Sequence, residues 1–213
     1  MSGCIIAVTQ RKGGVGKTTI AISLAAELCK RNRDVALIDG DPQRSSCAWA
    51  APGNLEFPVY EIPLEDQQVS LWVQDVQSVE AEFVVIDVPP NDRAMGASIA
   101  LARMVLVPCT PSGLDLEATV RTMEIVNYVR SQRQGRLNVI LVPNRVDGRT
   151  LEGQQLGDEL IEFGDAVSSP IGDRSAFVRA FMSGYSVANF AKGSAADLEI
   201  KELCDLVEDA LDK

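Results

Sequence analysis

CIIAVTQRKGGVGKTTIAISL, residues 4 to 24, decides the fold of this 213-residue chain. Its opening, CIIAVT, is an unbroken β-branched and apolar run, the pattern of a strand covered on both faces. From residue 17 the spacing turns helical, with Ile20, Leu24 and Leu28 on one side. A glycine-rich turn between such a strand and such a helix lets backbone N–H groups converge on phosphate oxygens at the helix N-terminus. The side chains fit that task. Lys17 brings a point charge to the β- and γ-phosphates, Thr18 a hydroxyl to Mg²⁺, and Thr19 a second hydroxyl to the α-phosphate. Gly13, Gly14 and Gly16, with Val15 among them, permit close approach of the backbone.

Further strand-like runs are DVALID (34 to 39), EFVVID (82 to 87), MVLVPC (104 to 109) and LNVILV (137 to 142). Helical spacing fills 17 to 31, 113 to 134 and 150 to 163. Alternation of doubly apolar strands with amphipathic helices predicts a three-layer α/β fold, a mostly parallel central sheet with helices on both faces, as one domain over 1 to 213. The proline-rich stretch 50 to 64 reads as a loop around a short strand. Residues 195 to 213 read as a terminal helix with Leu198, Leu203, Leu206, Val207 and Leu211 inward and an acidic outer face.

Composition narrows the function. With 46% hydrophobic and 23% charged residues the chain is that of an ordinary globular protein, without an apolar run able to span a bilayer or a leader for export, so the expected location is the cytoplasm. Five scattered cysteines and no histidine offer no zinc site, and they read as reduced, mostly buried thiols. The net charge of −10 repels polyanions unless a local basic patch intervenes. Without histidine, proton transfer falls to carboxylates, lysine or water.

Two acidic clusters lie where ligands of open α/β sheets bind. Strand 34 to 39 ends in IDGDPQRSS, placing Asp39 and Asp41 at the carboxyl edge, and strand 82 to 87 ends in VVIDVPP at Asp87. Asn144 follows the strand at 137 to 142, where an amide can match the edge of a purine base. The loop itself departs from G-x-x-x-x-G-K-[ST], because Arg11 stands where the first glycine would be and a second lysine, Lys12, opens K-G-G-V-G-K-T.

In that second lysine the loop resembles the deviant Walker A of the ParA/MinD-type ATPases, and the match runs to about residue 190, closest to short ParA partition ATPases without an N-terminal DNA-binding extension. The resemblance implies a P-loop NTPase fold, ATP and Mg²⁺ as ligands, and slow ATP hydrolysis. It implies an ATP-sandwich homodimer in which Lys12 contacts the nucleotide of the partner subunit. Catalysis would rest on Lys12, Lys17 and Asp41, with Asp41 orienting the attacking water. Thr18, Asp39 and Asp87 would surround Mg²⁺, and Asn144 would meet the base with help from the stretch 170 to 188. Val88 to Asn91 would form switch II.

The same resemblance implies an activating partner, ParB-like or a cargo adaptor, and ATP-dependent non-specific DNA binding on the nucleoid. Candidates for that contact are Arg121, Arg130, Arg133, Arg136, Arg174, Arg179 and Lys192. The acidic end, EIKELCDLVEDALDK, argues against a membrane anchor. The alternative is a nucleotide-dependent switch that docks a protein and never uses DNA.

Overall fold

The computed structural model describes residues 3–64 and 67–212. Its first half runs β1 (Cys4–Val8), α1 (Lys17–Lys30), β2 (Val35–Asp39), α2 (Ser45–Ala50), β3 (Val59–Glu61), α3 (Val69–Gln77), β4 (Phe83–Asp87) and α4 (Asp92–Leu101). The second half runs β5 (Met104–Cys109), α5 (Gly113–Gln132), β6 (Asn138–Pro143), α6 (Leu151–Ile161), β7 (Ala166–Val167), α7 (Ser175–Ser183), α8 (Val187–Phe190) and α9 (Ala195–Leu211). Among the described residues the strands form one seven-stranded parallel sheet in the order β3-β2-β4-β1-β5-β6-β7.

Period-two alternation in doubly apolar strands splits the core into two layers. Ile6, Val8, Leu37, Val85, Leu106 and Ile140 face the side packed by α1 and α9. Ile5, Ala7, Ile38, Val84, Ile86 and Val105 face the other side, with Met95 and Ile99 of α4 and Met123 and Val126 of α5. β1 sits between β4 and β5, so the chain leaves it toward β2 on one side and later returns to build the other. That reversal opens a crevice at the carboxyl ends of β1 and its neighbours, where the loop after β1 lies.

The expected strands and helices are present within one or two residues of their anticipated ends, and the short strand in the proline-rich stretch is β3. Elements not anticipated include helices α2, α3 and α4 and the short strand β7. Two expectations need correction. Leu198 is 51% exposed, whereas Ala196, Asp197, Ile200, Leu203, Cys204, Val207 and Leu211 face inward, with Leu206 partly buried. The stripe starts at Ala196, two positions off Leu198, and Asp197 can be buried because Lys201 Nζ at 2.7 Å, Lys30 Nζ at 3.8 Å and the Gly193 N–H at 2.8 Å surround its carboxylate. Only Cys109 and Cys204 are buried, while Cys4, Cys29 and Cys47 are partly exposed. Lys213, the end of the expected terminal helix, lies outside the described residues.

Candidate functional site

The loop between β1 and α1 is closed by backbone geometry that only glycine accepts. Gly16 caps α1 with φ 94° in the left-handed region, and a Cβ there would sit 2.2 Å from Nδ2 of Asn144. The Asn144 amide donates to the Val15 carbonyl at 2.6 Å, and Arg145 Nη1 donates to the Gly14 carbonyl at 3.1 Å. The turn after β6 therefore braces the loop from outside. Inside it, Lys17 is buried and donates to the Lys12 carbonyl at 3.2 Å. Burial lowers its pKa, opposed by the nearby carboxylates of Asp87 and Asp41.

Asp87 ends β4 directly beneath the loop and is 1% exposed. One of its oxygens accepts from Thr18 Oγ1 at 2.7 Å and from Ser46 Oγ at 2.9 Å. Burial pushes its pKa from 3.8 up to about 6, against the lowering effect of the two hydroxyls. A buried carboxylate short of positive charge, sharing a contact with a threonine hydroxyl, is a donor set that fits a small hard cation. Asp39 is differently placed. It is fully buried, and its two oxygens accept from the backbone N–H groups of Asp41 at 3.1 Å and Cys47 at 2.9 Å, so it shapes the segment leading into α2. Asp41 is partly exposed and accepts from the Gln43 N–H at 2.9 Å.

These elements enclose a cavity of about 580 Å³. One wall comes from Gly13, Gly14, Gly16, Lys17, Thr18 and Thr19, and another from Asp41 and Trp49. The third comes from the late segment, with Arg174, Phe177, Val178 and Phe181, and Asn144 also lines the space. Asp39 and Asp87 do not line it; they stand behind the wall. Lys12 does not line it either. Its ammonium pairs with Asp115 at the start of α5 and opens onto a second hollow of about 430 Å³, shared with Gly13, Gly14, Thr110 and Arg145. Thr110 Oγ1 donates to the other oxygen of Asp115.

Several contributors were not visible as such in the sequence. Ser46 and Asp115 are ordinary helix-start residues until the fold sets them against Asp87 and Lys12. Gln10 is fully buried: its amide donates to Thr119 Oγ1 at 2.9 Å and its carbonyl accepts from Thr122 Oγ1 at 2.5 Å, which ties the loop to α5. A polar residue directly after an apolar strand was the available signal. The basic candidates separate. Arg121 pairs with Glu117, Arg130 with Asp165 and Arg174 with Glu199, and Arg133 donates to the carbonyls of Ile99 and Ala102. Arg136, Arg179 and Lys192 are exposed and have no such partners among the described residues.

A glycine loop on a helix N-terminus, a buried lysine and a threonine on a strand-end aspartate together define a P-loop nucleotide-binding protein. Residues 6–187 match the family described as the CobQ/CobB/MinD/ParA nucleotide binding domain, and the chain belongs to that family, as a P-loop ATPase of the ParA/MinD kind. It is 30% identical over 208 residues to "Maintenance of carboxysome distribution protein A" of Halothiobacillus neapolitanus, covering 95% of each chain. It is 27% identical over 186 residues to "Protein ParA" of Rhizobium radiobacter, covering 84% of this chain and 83% of that one. Among solved structures, the ATP complex of a Cyanothece McdA variant superposes with a TM-score of 0.77 at 18% identity, covering 99% of this chain and 97% of the other. Pyrococcus horikoshii MinD with Mg-ADP gives 0.75 at 18%, covering 97% and 96%. Likeness at these identities speaks for the fold alone.

No described helix is long and apolar enough to cross a membrane.

Proposed function

We propose that this chain, acting as one domain, binds ATP with Mg²⁺, closes into an ATP-sandwich homodimer, and uses slow, partner-stimulated hydrolysis to segregate or position a cargo. The observation that carries the reading is the parting of the loop's two lysines. Lys17 lines the cavity that would take the phosphates, whereas Lys12, five residues before it, lies on the adjoining hollow. A cation so placed serves a triphosphate brought by a second subunit better than one in its own cavity. Relatives named for carboxysome distribution and for ParA support a protein assembly or DNA as the cargo.

In this reading Lys17, the loop N–H groups and Thr19 bind the phosphates, and Asp41, on the cavity wall, orients the attacking water. Thr18 and Asp87 hold Mg²⁺, with Asp39 set behind them as a positioning group; the ion supplies positive charge to the phosphate oxygens. The Asn144 amide braces the loop through Nδ2, and its carbonyl oxygen would meet the base from the cavity that Asn144 lines. The protein would work in the cytoplasm, on the nucleoid when DNA-bound.

Light scattering with and without Mg·ATP tests this. A dimer should form with ATP and be lost in Lys12→Ala while nucleotide binding persists; an ATP dimer of Lys12→Ala would overturn the assignment. Asp41→Ala should keep ATP and hold the dimer, and unchanged turnover would show that another group orients the water. One observation favours the alternative, docking of a protein partner without DNA: Arg121, Arg130, Arg133 and Arg174 are already engaged within the chain, leaving Arg136, Arg179 and Lys192 against a net charge of −10. Co-sedimentation with random DNA at low salt, with and without ATP, separates the two.

A further inference from the structure

The short helix α2 touches more of the site than its six residues suggest. Ser46 holds Asp87, the Cys47 N–H holds Asp39, and Trp49 reaches away to the late segment. Trp49 is 3% exposed, its Nε1–H donates to the Tyr185 carbonyl at 2.9 Å, and its ring meets Phe181 edge-on with centroids 5.2 Å apart at 82°. Two further contacts follow. Asn54 Nδ2 donates to the Ser183 carbonyl at 3.1 Å, and Gly184, with φ +68°, packs so closely on Pro52 that a Cβ would lie 2.5 Å from its ring. Residues 49 to 54 and 181 to 185 thus form a joint between α2 and the end of α7.

The two sides of this joint face the same cavity. On one side stand Asp41, Gln43, Ser45 and Trp49, and on the other Phe177, Val178 and Phe181 of α7. Phe177, Val178 and Phe181 make an apolar wall suited to a flat heteroaromatic ring, while the glycine loop is suited to phosphates. A base seated on α7 would restrict Phe181, and Phe181 touches the indole that fixes α2. The segment carrying Asp41 runs directly into α2.

We propose that Trp49 is a positioning residue that makes turnover depend on the base: occupancy of the α7 wall is passed through Trp49 to the segment carrying Asp41. This rests on the ATPase reading above. A substrate with phosphates and no base fills the loop but leaves α7, and with it α2, less restrained. The base then contributes to kcat as well as to affinity, which is how binding energy far from the reacting atoms can raise a rate.

The experiment compares Mg·ATP with Mg·methyl triphosphate in the wild type, Trp49→Phe and Asn54→Ala, recording kcat and KM separately. Trp49→Phe keeps an aromatic ring beside Phe181 and loses the bond to Tyr185, and Asn54→Ala loosens the joint without touching the cavity. In the wild type ATP should give the higher kcat. In Trp49→Phe its kcat should fall by roughly three- to tenfold, the change expected from one hydrogen bond, while KM for ATP and kcat for methyl triphosphate move less than twofold. Asn54→Ala should lower kcat for ATP in the same direction. Equal losses with both substrates, or a change confined to KM, would overturn the proposal and leave Trp49 as a packing residue or a base contact. Wild-type protein that hydrolyses neither substrate would overturn the ATPase reading itself, and a wild type that hydrolyses both at equal kcat would overturn only the role of the base.

Discussion

Asp87→Asn should make the ligand-free protein more stable and its nucleotide complex less so. In the folded chain the Asp87 pKa stands at about 6 instead of 3.8, with burial as the largest cause. Two units correspond to about 3 kcal/mol against the ionised form. The sign follows from the direction of the shift: a raised carboxyl contributes stability below 3.8, where it is protonated in both states, and loses it as pH rises through about 6. Near neutral pH the ligand-free protein therefore carries a strained charge. Asparagine keeps an oxygen for the Thr18 and Ser46 hydroxyls without that charge, but withdraws a counter-charge from Lys17, whose pKa is already lowered by burial. The Coulombic contribution of Lys17 is the smallest of the causes acting on Asp87, so the desolvation gain should prevail, leaving about 1–2 kcal/mol and a Tm higher by about 2–8 °C for a chain of this length. Differential scanning fluorimetry from pH 4 to 8 reads it. The gap between variant and wild type should be near zero at the acid end, open through about pH 6, and be full above 7. Added Mg·ATP should raise the wild-type Tm and barely move the variant. A ligand-free Asp87→Asn protein less stable than wild type at pH 7 would refute the reasoning and make the carboxylate a structural anchor.

Lys12→Ala leaves Asp115, 3% exposed, without its cation and should destabilise the ligand-free protein by about 1–2 kcal/mol, less than a fully buried pair because the Lys12 side chain is 37% exposed. Asp115→Asn in the same chain should restore most of that loss in urea unfolding, and no rescue would show that the pair is not the cause. Gly16→Ala adds a Cβ where φ is 94° and Asn144 is 2.2 Å away, so calorimetry should find ATP affinity reduced at least about tenfold, from roughly 1–2 kcal/mol of backbone strain plus displacement of the brace, with the circular dichroism spectrum retained. Affinity within twofold of wild type would mean that the brace is dispensable.

What the sequence revealed and withheld follows from how far apart the determinants lie. Doubly buried strands must be apolar at every position, so β1, β2, β4, β5 and β6 are legible as runs. The glycine loop is legible because its neighbours in sequence are its neighbours in space. Helix α4, DRAMGASIAL, buries Ala94, Met95, Ser98 and Ile99, a stripe too small and polar to stand out. Contacts across the fold leave no local trace. Lys12 meets Asp115 across 103 positions and Trp49 meets Tyr185 across 136, and neither partner has a type that announces the pairing. The basic residues mislead for the same reason, since a sequence counts Arg133 as a surface charge although its guanidinium is spent on the carbonyls that end α4.

The pair between Lys12 and Asp115 raises the question of whether it locks the protein against dimerisation or merely parks a lysine. Its exposure decides in favour of parking. A half-exposed lysine on a carboxylate contributes about 1 kcal/mol, whereas a triphosphate offers several negative charges and phosphate oxygens able to form charge-assisted bonds. Exchange of partner is therefore favourable once a second nucleotide site comes within reach. Asp115→Asn, which frees Lys12 in advance, should strengthen the ATP dimer by about fivefold per subunit, and so by no more than roughly thirtyfold in the dimer dissociation constant. Analytical ultracentrifugation with saturating Mg·ATP measures that constant directly. A gain of several hundredfold would make Asp115 a lock that nucleotide or a partner has to open, and a loss would mean that Asp115 also belongs to the dimer contact.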